Sequence, residues 1–460
     1  MELGVGGSNP PCCTKKMNKE KNLKPSKELP LGFVDRQEKE LLIRDFIISN
    51  IKEVMTKYGF QYLETPSFEY TDSIGKFLPD KDRPDQGVFS FKDEKKWLSL
   101  RYDLTAPLAR YVAKNYLELP KPFKRYQLGT VWRNEKPGPG RFREFLQFDA
   151  DYVGTKNLQA DAELCVLISE ILERCGLVKA DYTVKISSRK LTDKLFEELK
   201  IKSKEQISTT LRALDKIDRL GWEEAKKLLG KGRKDKSGDY TKGANLKSEQ
   251  IKIIENALKN KTPDSEDILE IIKIFEDYNF KNYKFDPSVI RGLEYYTGAI
   301  FEVNLNFEVK NSKGQPIQFG SIGGGGRYDN LVSNFGNFDC PATGISIGLD
   351  RLVFALMQKK DFKTKSTKPI IICVFDKSRI KEYIEILNKL RASDISSEIY
   401  PGEGKLKKQM EYANKIGSPA VILYGDDEIK SGKATLKNLE TGNESSVKIE
   451  DLVNEIKKLL

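Results

Sequence analysis

The sequence contains no histidine among its 460 residues. This absence excludes catalytic triads and proton shuttles that depend on an imidazole, zinc sites of the HExxH type, and a proximal haem histidine. Any chemistry that the chain performs must therefore rest on arginine, lysine, carboxylates, tyrosine and backbone dipoles.

Other common features are also missing. No apolar run approaches the roughly 20 residues of a membrane-spanning helix, and neither a GxxxxGK[ST] phosphate loop nor a GxGxxG dinucleotide motif is present. The cysteines form no CxxC pair, so neither a zinc site nor a disulfide framework is indicated, and we expect a reduced, cytoplasmic protein. They are Cys12, Cys13, Cys165, Cys175, Cys340 and Cys373.

Charged residues are abundant, and the two signs are not balanced. Lys and Arg number 79 against 68 Asp and Glu, which gives a formal net charge of +11, while 38% of the residues are hydrophobic. These values describe a globular protein whose excess positive charge favours a polyanionic partner such as nucleic acid. A lysine-rich composition without such a partner is the alternative.

Changes in pattern along the chain predict its domains. A polar start precedes a helix with Ile43, Ile47 and Ile51 at helical spacing, and a lysine-rich helical stretch with a Gly/Lys segment later separates two β-rich parts. We predict a disordered tail at 1–29, a β-rich domain in two parts at 30–178 and 285–362, a mostly helical insertion at 179–284, and a small α/β domain at 369–460.

One segment carries an unusual alternation of polar residues. A predicted strand leads to Arg133 and Glu135, a Pro/Gly loop follows, and a second predicted strand repeats polar or aromatic residues at every other position. These are Arg141, Arg143, Phe145, Gln147, Asp149 and Asp151. Residues two apart share one face of a strand, and such a face suits a phosphate and a stacked base at one end and an ammonium group at the other. A solvent-facing strand with salt bridges is the alternative.

Glycine is concentrated at Gly323–Gly326, directly after a predicted strand. Four glycines in a row allow a tight turn or a close approach of the backbone to a ligand. The segment alone does not choose between these two interpretations.

Together these segments resemble the class II aminoacyl-tRNA synthetases. Arg133-x-Glu135 with its loop and return strand resembles motif 2, the stretch from Pro341 to Leu352 resembles motif 3, and the Ile43–Tyr58 helix with the following strand resembles motif 1. Three further segments resemble the histidyl-tRNA synthetase family over residues 30–460. They are RYDLTAP at 101–107, RGLEYYTG at 291–298 and GGGRYD at 324–329.

The resemblance implies a fold, a reaction and partners. It implies an antiparallel class II sheet with flanking helices, a helical insertion domain and a C-terminal α/β anticodon-binding domain. Histidine and ATP would form histidyl-adenylate, and histidine would then pass to the 3′ end of tRNA-His. It further implies Mg²⁺ with the ATP, a homodimer with the region from Ile43 to Pro66 in the interface, and no membrane.

The resemblance also implies roles for individual residues. For ATP, Arg133 would hold the α-phosphate, Glu135 the adenine side and Arg141 the distal phosphates, while Phe145 and Arg351 would stack on the adenine. Arg291 would stabilise the pentacoordinate phosphate, and with it the histidine pocket would comprise Asp103, Thr105, Gln147, Asp151, Tyr296 and Tyr328. The carboxylates would take the α-ammonium group and the remainder the imidazole. Capping for the two aspartates, and core packing for the two tyrosines, are the alternatives.

Several interpretations stay open. A regulatory relative without catalysis commonly loses the catalytic arginines or the anticodon domain, whereas this chain keeps Arg133, Arg291 and Arg351. Another class II synthetase, and a non-enzymatic RNA-binding protein, fit the motifs less well. The loop at 136–140 has few polar side chains, which leaves open whether an extra 5′ guanosine of tRNA-His is read.

The missing histidines suggest a separate hypothesis. A chain that makes histidyl-tRNA without containing histidine can be synthesised when charged tRNA-His is exhausted. Substitution drift in a Lys/Asn/Ile-rich genome, or deliberate engineering, is the alternative.

Overall fold

The computed structural model describes residues 26–75, 87–138, 140–234, 238, 240–290, 295–311, 313–317, 319–336, 338–359 and 368–460. Within helix residues 217–220, the side chains at 218 and 219 are not described. The chain divides into two units, 1–362 and 363–460. Residues 1–25 of the predicted tail lie outside the described residues.

The first unit is built from helices around one large sheet and several small ones. Its helices are α1 (Glu38–Lys57), α2 (Thr71–Gly75), α3 (Thr105–Lys114), α4 (Leu158–Arg174), α5 (Arg189–Glu198), α6 (Lys204–Leu214), α7 (Ile217–Leu220), α8 (Trp222–Leu229), α9 (Ser248–Lys259), α10 (Glu266–Asp277) and α11 (Leu349–Gln358). Its strands are β1 (Gln61–Tyr62), β2 (Phe68–Tyr70), β3 (Ser90–Asp93), β4 (Lys96–Leu100), β5 (Phe123–Trp132), β6 (Glu144–Val153), β7 (Tyr182–Ser188), β8 (Gly232–Lys234), β9 (Tyr240–Lys242), β10 (Tyr283–Phe285), β11 (Ala299–Leu305), β12 (Val309–Lys310), β13 (Pro316–Ile317), β14 (Ser321–Arg327) and β15 (Ala342–Gly348).

The main sheet has the strand order β1-β5-β6-β15-β14-β11-β7-β10. The two outermost pairs of this sheet, β1 with β5 and β7 with β10, are parallel. All neighbouring strands between them in the sheet are antiparallel. The predicted antiparallel sheet with flanking helices is therefore confirmed.

The two faces of the sheet differ because side chains alternate along each strand. On β6, Phe148, Ala150 and Tyr152 point into the principal apolar core, which also takes buried residues of α1, α4, α10 and α11. The opposite face carries Gln147, Asp149 and Asp151, all buried. On this second face, α3 packs against the end of the sheet near Val153, and the polar residues lie next to that contact.

Helix α1 follows its predicted apolar spacing closely. Ile43, Ile47, Ile51 and Val54 are fully buried on one side of it, and each such side chain stabilises the fold by about 1.5–3 kcal/mol. The helix ends at Lys57, and Gly59 shortly after it has a φ of 72°, in the left-handed region that favours glycine.

The glycine run is part of a strand and not a turn after one. Gly323–Gly326 lie within β14, between β11 and β15. A Cβ at Gly325 would overlap the carbonyl oxygen of Gly344, and one at Gly326 would lie 2.5 Å from the carbonyl oxygen of Ala299. The glycines therefore permit close packing of backbone within the sheet, and the prediction that the run directly follows a strand was wrong, since the strand contains it.

The predicted insertion, 179–284, contributes strands to the main sheet at both of its ends. Strand β7 pairs with β11 along its whole length, and β10 pairs with β7. Between them, α5, α6, α8 and α9 contribute to a separate apolar core that includes Leu195, Leu211, Leu228 and Ile254. The region with its own core is therefore narrower than the predicted insertion.

The second unit is a five-stranded mixed sheet with helices. Its helices are α12 (Ile380–Arg391), α13 (Leu406–Ile416), α14 (Asp426–Ser431) and α15 (Leu452–Leu459), and its strands are β16 (Ile370–Ile372), β17 (Ser397–Ile399), β18 (Ala420–Leu423), β19 (Lys433–Asn438) and β20 (Glu444–Lys448). The strand order is β17-β16-β18-β19-β20. The α/β prediction is confirmed, although β19 and β20 were missed.

In the described part of the chain, no helix has the length and apolar character that crossing a membrane requires.

Candidate active site

The polar face of the main sheet is arranged by the register of three strands. Arg125 of β5 lies directly opposite Asp151 of β6, and Gln127 lies opposite Asp149. On the other side of β6, Gly344 of β15 lies opposite Asp151. The alternation along one strand thus becomes a continuous patch of polar and small residues across three strands.

Asp103 enters this patch from the turn before α3. Its Oδ1 accepts a hydrogen bond from the amide of Ala106 at 3.0 Å, which is the capping role that was the alternative for this residue. Its Oδ2 is buried and has no hydrogen-bond partner among the described residues. Since a buried carboxylate oxygen without a partner is costly, this atom is available for a ligand.

Asp149 connects the same turn to the neighbouring side chains of β6. It accepts hydrogen bonds from Gln147 Nε2 at 2.7 Å and from Thr105 Oγ1 at 3.4 Å. The predicted site residues Gln147 and Thr105 therefore meet at Asp149, which the sequence-based list of site residues did not include.

Asp151 is held from three sides. Its Oδ2 lies 3.1 Å from Arg125 Nη2, and Tyr328 donates a hydrogen bond to its Oδ1. A Cβ at Gly344 would overlap Oδ1, so only glycine at that position leaves room for this carboxylate.

Burial shifts the pKa values of all three carboxyls upward. It raises the pKa of Asp103 to about 6 and that of Asp151 to about 6, and it also raises the pKa of Asp149. Removal from water disfavours the charged form, and Arg125 opposes the shift at Asp149 and Asp151. The site thus brings together three buried carboxyl groups, and a nearby positive charge lowers the pKa of two of them, Asp149 and Asp151.

Arg133 lies just beyond the end of β5, next to the carboxylate patch. Its Nε donates to the carbonyl oxygen of Tyr102 at 3.1 Å, and its Nη2 donates to Gln147 Oε1 at 3.4 Å. Its guanidinium lies 5.1 Å from the centroid of the Phe145 ring, within cation–π range. A guanidinium next to a half-buried aromatic ring can hold a phosphate beside a stacked base.

Arg351, in the first turn of α11, pairs with a different ring. Its guanidinium lies 4.3 Å from the centroid of Phe319 and donates to the carbonyl oxygen of that residue. Phe319 was missed, because no local pattern marks a ring whose partner lies 32 residues further along the chain. The sandwich of a base between Phe145 and Arg351 stays a prediction.

Glu135 and Arg141 lie in the exposed connection between β5 and β6. There the carbonyl oxygen of Glu135 accepts a hydrogen bond from Arg143 Nε at 3.1 Å. Arg141 and Arg143 precede β6, which begins at Glu144, so the predicted alternation holds in the strand only from Phe145 onward.

Tyr296 and Tyr328 are buried within an aromatic group that also contains Tyr295. The ring centroid of Tyr295 lies 4.9 Å from that of Tyr296 and 5.9 Å from that of Tyr328. Tyr328 combines both interpretations made from the sequence, since its ring belongs to the core and its hydroxyl bonds to Asp151. Arg291 lies outside the described residues.

The fold and this site together define a class of protein. A largely antiparallel sheet, an arginine beyond the end of one strand, acids along the next, and a strand–helix element that carries Arg351 are the features of a class II aminoacyl-tRNA synthetase. A family model described as histidyl-tRNA synthetase matches residues 32–352, and one described as an anticodon binding domain matches residues 368–459. The chain belongs to the histidyl-tRNA synthetase family, which confirms the resemblance seen in the sequence.

Individual relatives agree with this assignment. A histidine–tRNA ligase of Bartonella quintana is 44% identical, with 94% of this chain and 92% of the relative covered. One of Rhizobium meliloti is 45% identical, with 92% and 90% covered. The crystal structure of histidyl-tRNA synthetase from Nostoc sp. PCC 7120 is similar with a TM-score of 0.71 and 26% identity, covering 95% of this chain and all of that one.

Proposed function

We infer that the chain is a histidine–tRNA ligase, which activates L-histidine with ATP and transfers it to the 3′ end of tRNA-His. The observation that carries this function is the buried cluster of Asp103, Asp149 and Asp151 directly beside Arg133. The cluster supplies acceptors for a small cationic substrate, and Arg133 supplies positive charge where a carboxylate and a phosphate must meet.

The amino acid would lie over the carboxylate patch. The Oδ2 of Asp103 has no hydrogen-bond partner among the residues that the structure describes. Together with Thr105 and Gln147 it suits an α-ammonium group, whose three N–H donors require three acceptors. Asp151 on β6 and Tyr328 just after β14 face the same space and suit the N–H groups of an imidazole. This proposal differs from the expectation drawn from the resemblance, which gave both carboxylates to the α-ammonium group and the remaining residues to the imidazole. Tyr296 would close the pocket beside them.

ATP would lie at the other end of the site. Arg133 would bind the α-phosphate and stabilise the charge that develops on it when the histidine carboxylate attacks. Phe145 and Arg351 would hold the adenine, Glu135 would contact its edge, and Arg141 would reach the distal phosphates. Arg291 is proposed to assist at the α-phosphate.

Catalysis would then depend on positioning and charge stabilisation. The histidine carboxylate attacks the α-phosphorus, pyrophosphate leaves, and histidyl-adenylate forms. The terminal ribose hydroxyl of the tRNA next attacks the adenylate carbonyl, and AMP leaves.

Mg²⁺ would accompany the ATP phosphates. Among the described residues, no group of three or more acidic or cysteine side chains could hold a metal ion, and the proposed phosphate end carries arginines. Mg²⁺ commonly binds substrate phosphates and water rather than an all-protein cage. The residues present therefore fit an ion that enters with ATP, and its role would be to neutralise phosphate charge.

The tRNA would contact both units. The net charge of +11 favours a polyanion, and the lysine-rich insertion is a candidate for contacts to the acceptor stem. In the second unit, the edges at 398–408 and 417–427 are candidates for the anticodon.

We further propose a homodimer in the cytoplasm. The small sheet β2-β4-β3 exposes about half of each of the side chains Phe68, Tyr70, Phe91 and Trp97, close in sequence to the region predicted for the interface. A second subunit would bury this apolar surface. Sedimentation equilibrium tests the dimer, and a monomer at micromolar concentration would contradict it.

ATP–pyrophosphate exchange tests the function directly. Each amino acid is offered in turn to the wild-type protein and to the Arg133→Ala and Arg291→Ala variants. We expect exchange with histidine alone and its loss in both variants. Well-folded protein that supports no exchange with any amino acid would favour the regulatory relative, and exchange with another amino acid would mean that the specificity is different.

A further inference from the structure

Arg125 is a charged residue enclosed within the protein. Its side chain is completely buried, and its Nη2 both lies 3.1 Å from Asp151 Oδ2 and donates to the carbonyl oxygen of Leu104 at 3.0 Å. It therefore links β6, which carries Asp151, to Leu104, which lies between Asp103 and the first residue of α3.

Stability alone does not account for this residue. Its Nε and Nη1 are buried without a hydrogen-bond partner among the described residues. Replacing a buried ion pair by apolar side chains is often neutral or stabilising. A buried guanidinium with two nitrogens that lack a partner among the described residues is therefore expected to stabilise the fold less than an apolar side chain would. Its position between two elements of the proposed histidine pocket suggests a role in substrate binding.

We propose that Arg125 is a positioning residue for the selection of histidine: it keeps the Asp151 carboxylate ionised and oriented toward the imidazole and fixes it relative to Asp103. The inference rests on the proposed function. Arg125 touches no reacting atom and acts only through the carboxylates.

The charged and titratable groups around Asp151 explain why a cation is needed there. Asp149 lies on the same strand, Asp103 in the turn before α3, and Tyr328 just after β14. Both aspartates repel a negative charge on Asp151, and Tyr328 stabilises it only by a hydrogen bond. Without Arg125, proton uptake by Asp151 is favoured, and a protonated carboxyl group is a poorer acceptor for an imidazole N–H.

Steady-state exchange kinetics with three variants test this role. Arg125→Met removes the charge and keeps an unbranched side chain, whereas Arg125→Lys keeps the charge. Arg110→Met is the matched control, because Arg110 on α3 makes a partly exposed pair with Glu69 at 2.8 Å outside the proposed pocket. KM is measured for histidine and for ATP across pH 5.5–8.5, a range chosen around the pKa of about 6 of Asp151.

We expect Arg125→Met to raise the KM for histidine about tenfold or more at pH 7 and to leave the KM for ATP within about twofold, since the loss of one buried charge partner typically exceeds 1.4 kcal/mol. The acid limb of kcat/KM for histidine should also move to higher pH, because Arg125 lowers the pKa of Asp151. Titration of free histidine is common to all variants and cancels in the comparison. Arg125→Lys should recover part of both effects, and Arg110→Met should show neither.

Other results would overturn the inference. An unchanged histidine KM and acid limb in folded Arg125→Met would exclude the role, and equal increases in both KM values would indicate a merely structural residue. If Arg125→Met does not fold, Arg125→Lys decides. A KM for histidine above the wild-type value with a KM for ATP within about twofold of it supports the role, whereas an unchanged KM for histidine or an equal increase in both KM values contradicts it. Failure of the wild type to exchange with histidine would instead overturn the proposed function.

Discussion

At the scale of single residues, the site is controlled by how little space its carboxylates have. Asp151 fits only because the neighbouring position on β15 is Gly344, and one oxygen of Asp103 has no partner within the described part of the chain. The buried oxygen of Asp103 costs stability in the absence of substrate, and an N–H donor of a bound substrate would offset that cost.

Gly344→Ala should disable the histidine pocket. The added Cβ would overlap Asp151 Oδ1, so the carboxylate must move away from Arg125 and Tyr328. We expect the KM for histidine in ATP–pyrophosphate exchange to rise at least about tenfold, corresponding to roughly 1.4 kcal/mol or more of lost binding. Gly138→Ala, where a Cβ meets open space, serves as the control and should behave like the wild type.

Asp103→Asn should stabilise the protein while it removes activity. The folded pKa of about 6 lies above the ordinary aspartate pKa of 3.8, so the folded state binds more protons than the unfolded state between these pH values. The ionised form therefore costs stability above pH 6, on the order of 2–3 kcal/mol for a shift of about two pKa units. Asparagine keeps the acceptor for Ala106 and carries no charge.

The measurement for this variant is the midpoint of thermal unfolding between pH 3.5 and pH 8. The advantage of Asp103→Asn should be largest above pH 6, shrink as the pH falls, and vanish below about pH 4, where the wild-type carboxyl is protonated in both states. An advantage that stays constant with pH would refute this account.

At the scale of elements, the ATP end depends on a clamp made by the start of the described chain. Arg36 Nε donates to Asp350 Oδ1 at 2.7 Å, and Asp350 Oδ2 accepts from the amide of Leu146 at 2.7 Å. The clamp thus joins the start of α11, which carries Arg351, to the strand that carries Phe145.

Arg36→Met should weaken the binding of ATP more than the binding of histidine. We expect the KM for ATP to rise severalfold, on the order of 1 kcal/mol for a partly buried ion pair, and the KM for histidine to change little. Lys57→Met is the control, since Lys57 pairs with Glu170 on the surface at 2.8 Å. A larger effect on histidine than on ATP would show that the clamp serves the other end of the site.

Whether a feature of the fold or of the site could be predicted depends on how far apart its contacting residues lie in the sequence. The alternation from Phe145 to Asp151 gave the polar face directly, because strand periodicity is local. The pairing of Arg125 with Asp151 and the contact of Arg351 with Phe319 depend on strand register and loop placement, which local patterns do not encode. The sequence left open whether the glycine run forms a turn or a close backbone approach, because only the packed sheet shows which backbone atoms approach it.

At the scale of the whole molecule, the absence of histidine from the sequence bears on the function of the protein. A histidine–tRNA ligase that contains no histidine can itself be synthesised when charged tRNA-His is exhausted. During histidine starvation of the source cell, we expect synthesis of this protein to persist relative to a histidine-containing protein of similar abundance, as followed by pulse labelling. Equal loss of both proteins would favour drift in composition or engineering.

The acidic pocket also has a consequence for spectroscopy. In an untagged preparation, the imidazole of a bound histidine molecule would be the sole imidazole in the complex. Its ring nitrogen and carbon resonances can therefore be observed without overlap from protein side chains, using ¹⁵N- or ¹³C-enriched substrate. The tautomer and charge of a substrate buried beside three carboxylates thus become directly measurable in this protein.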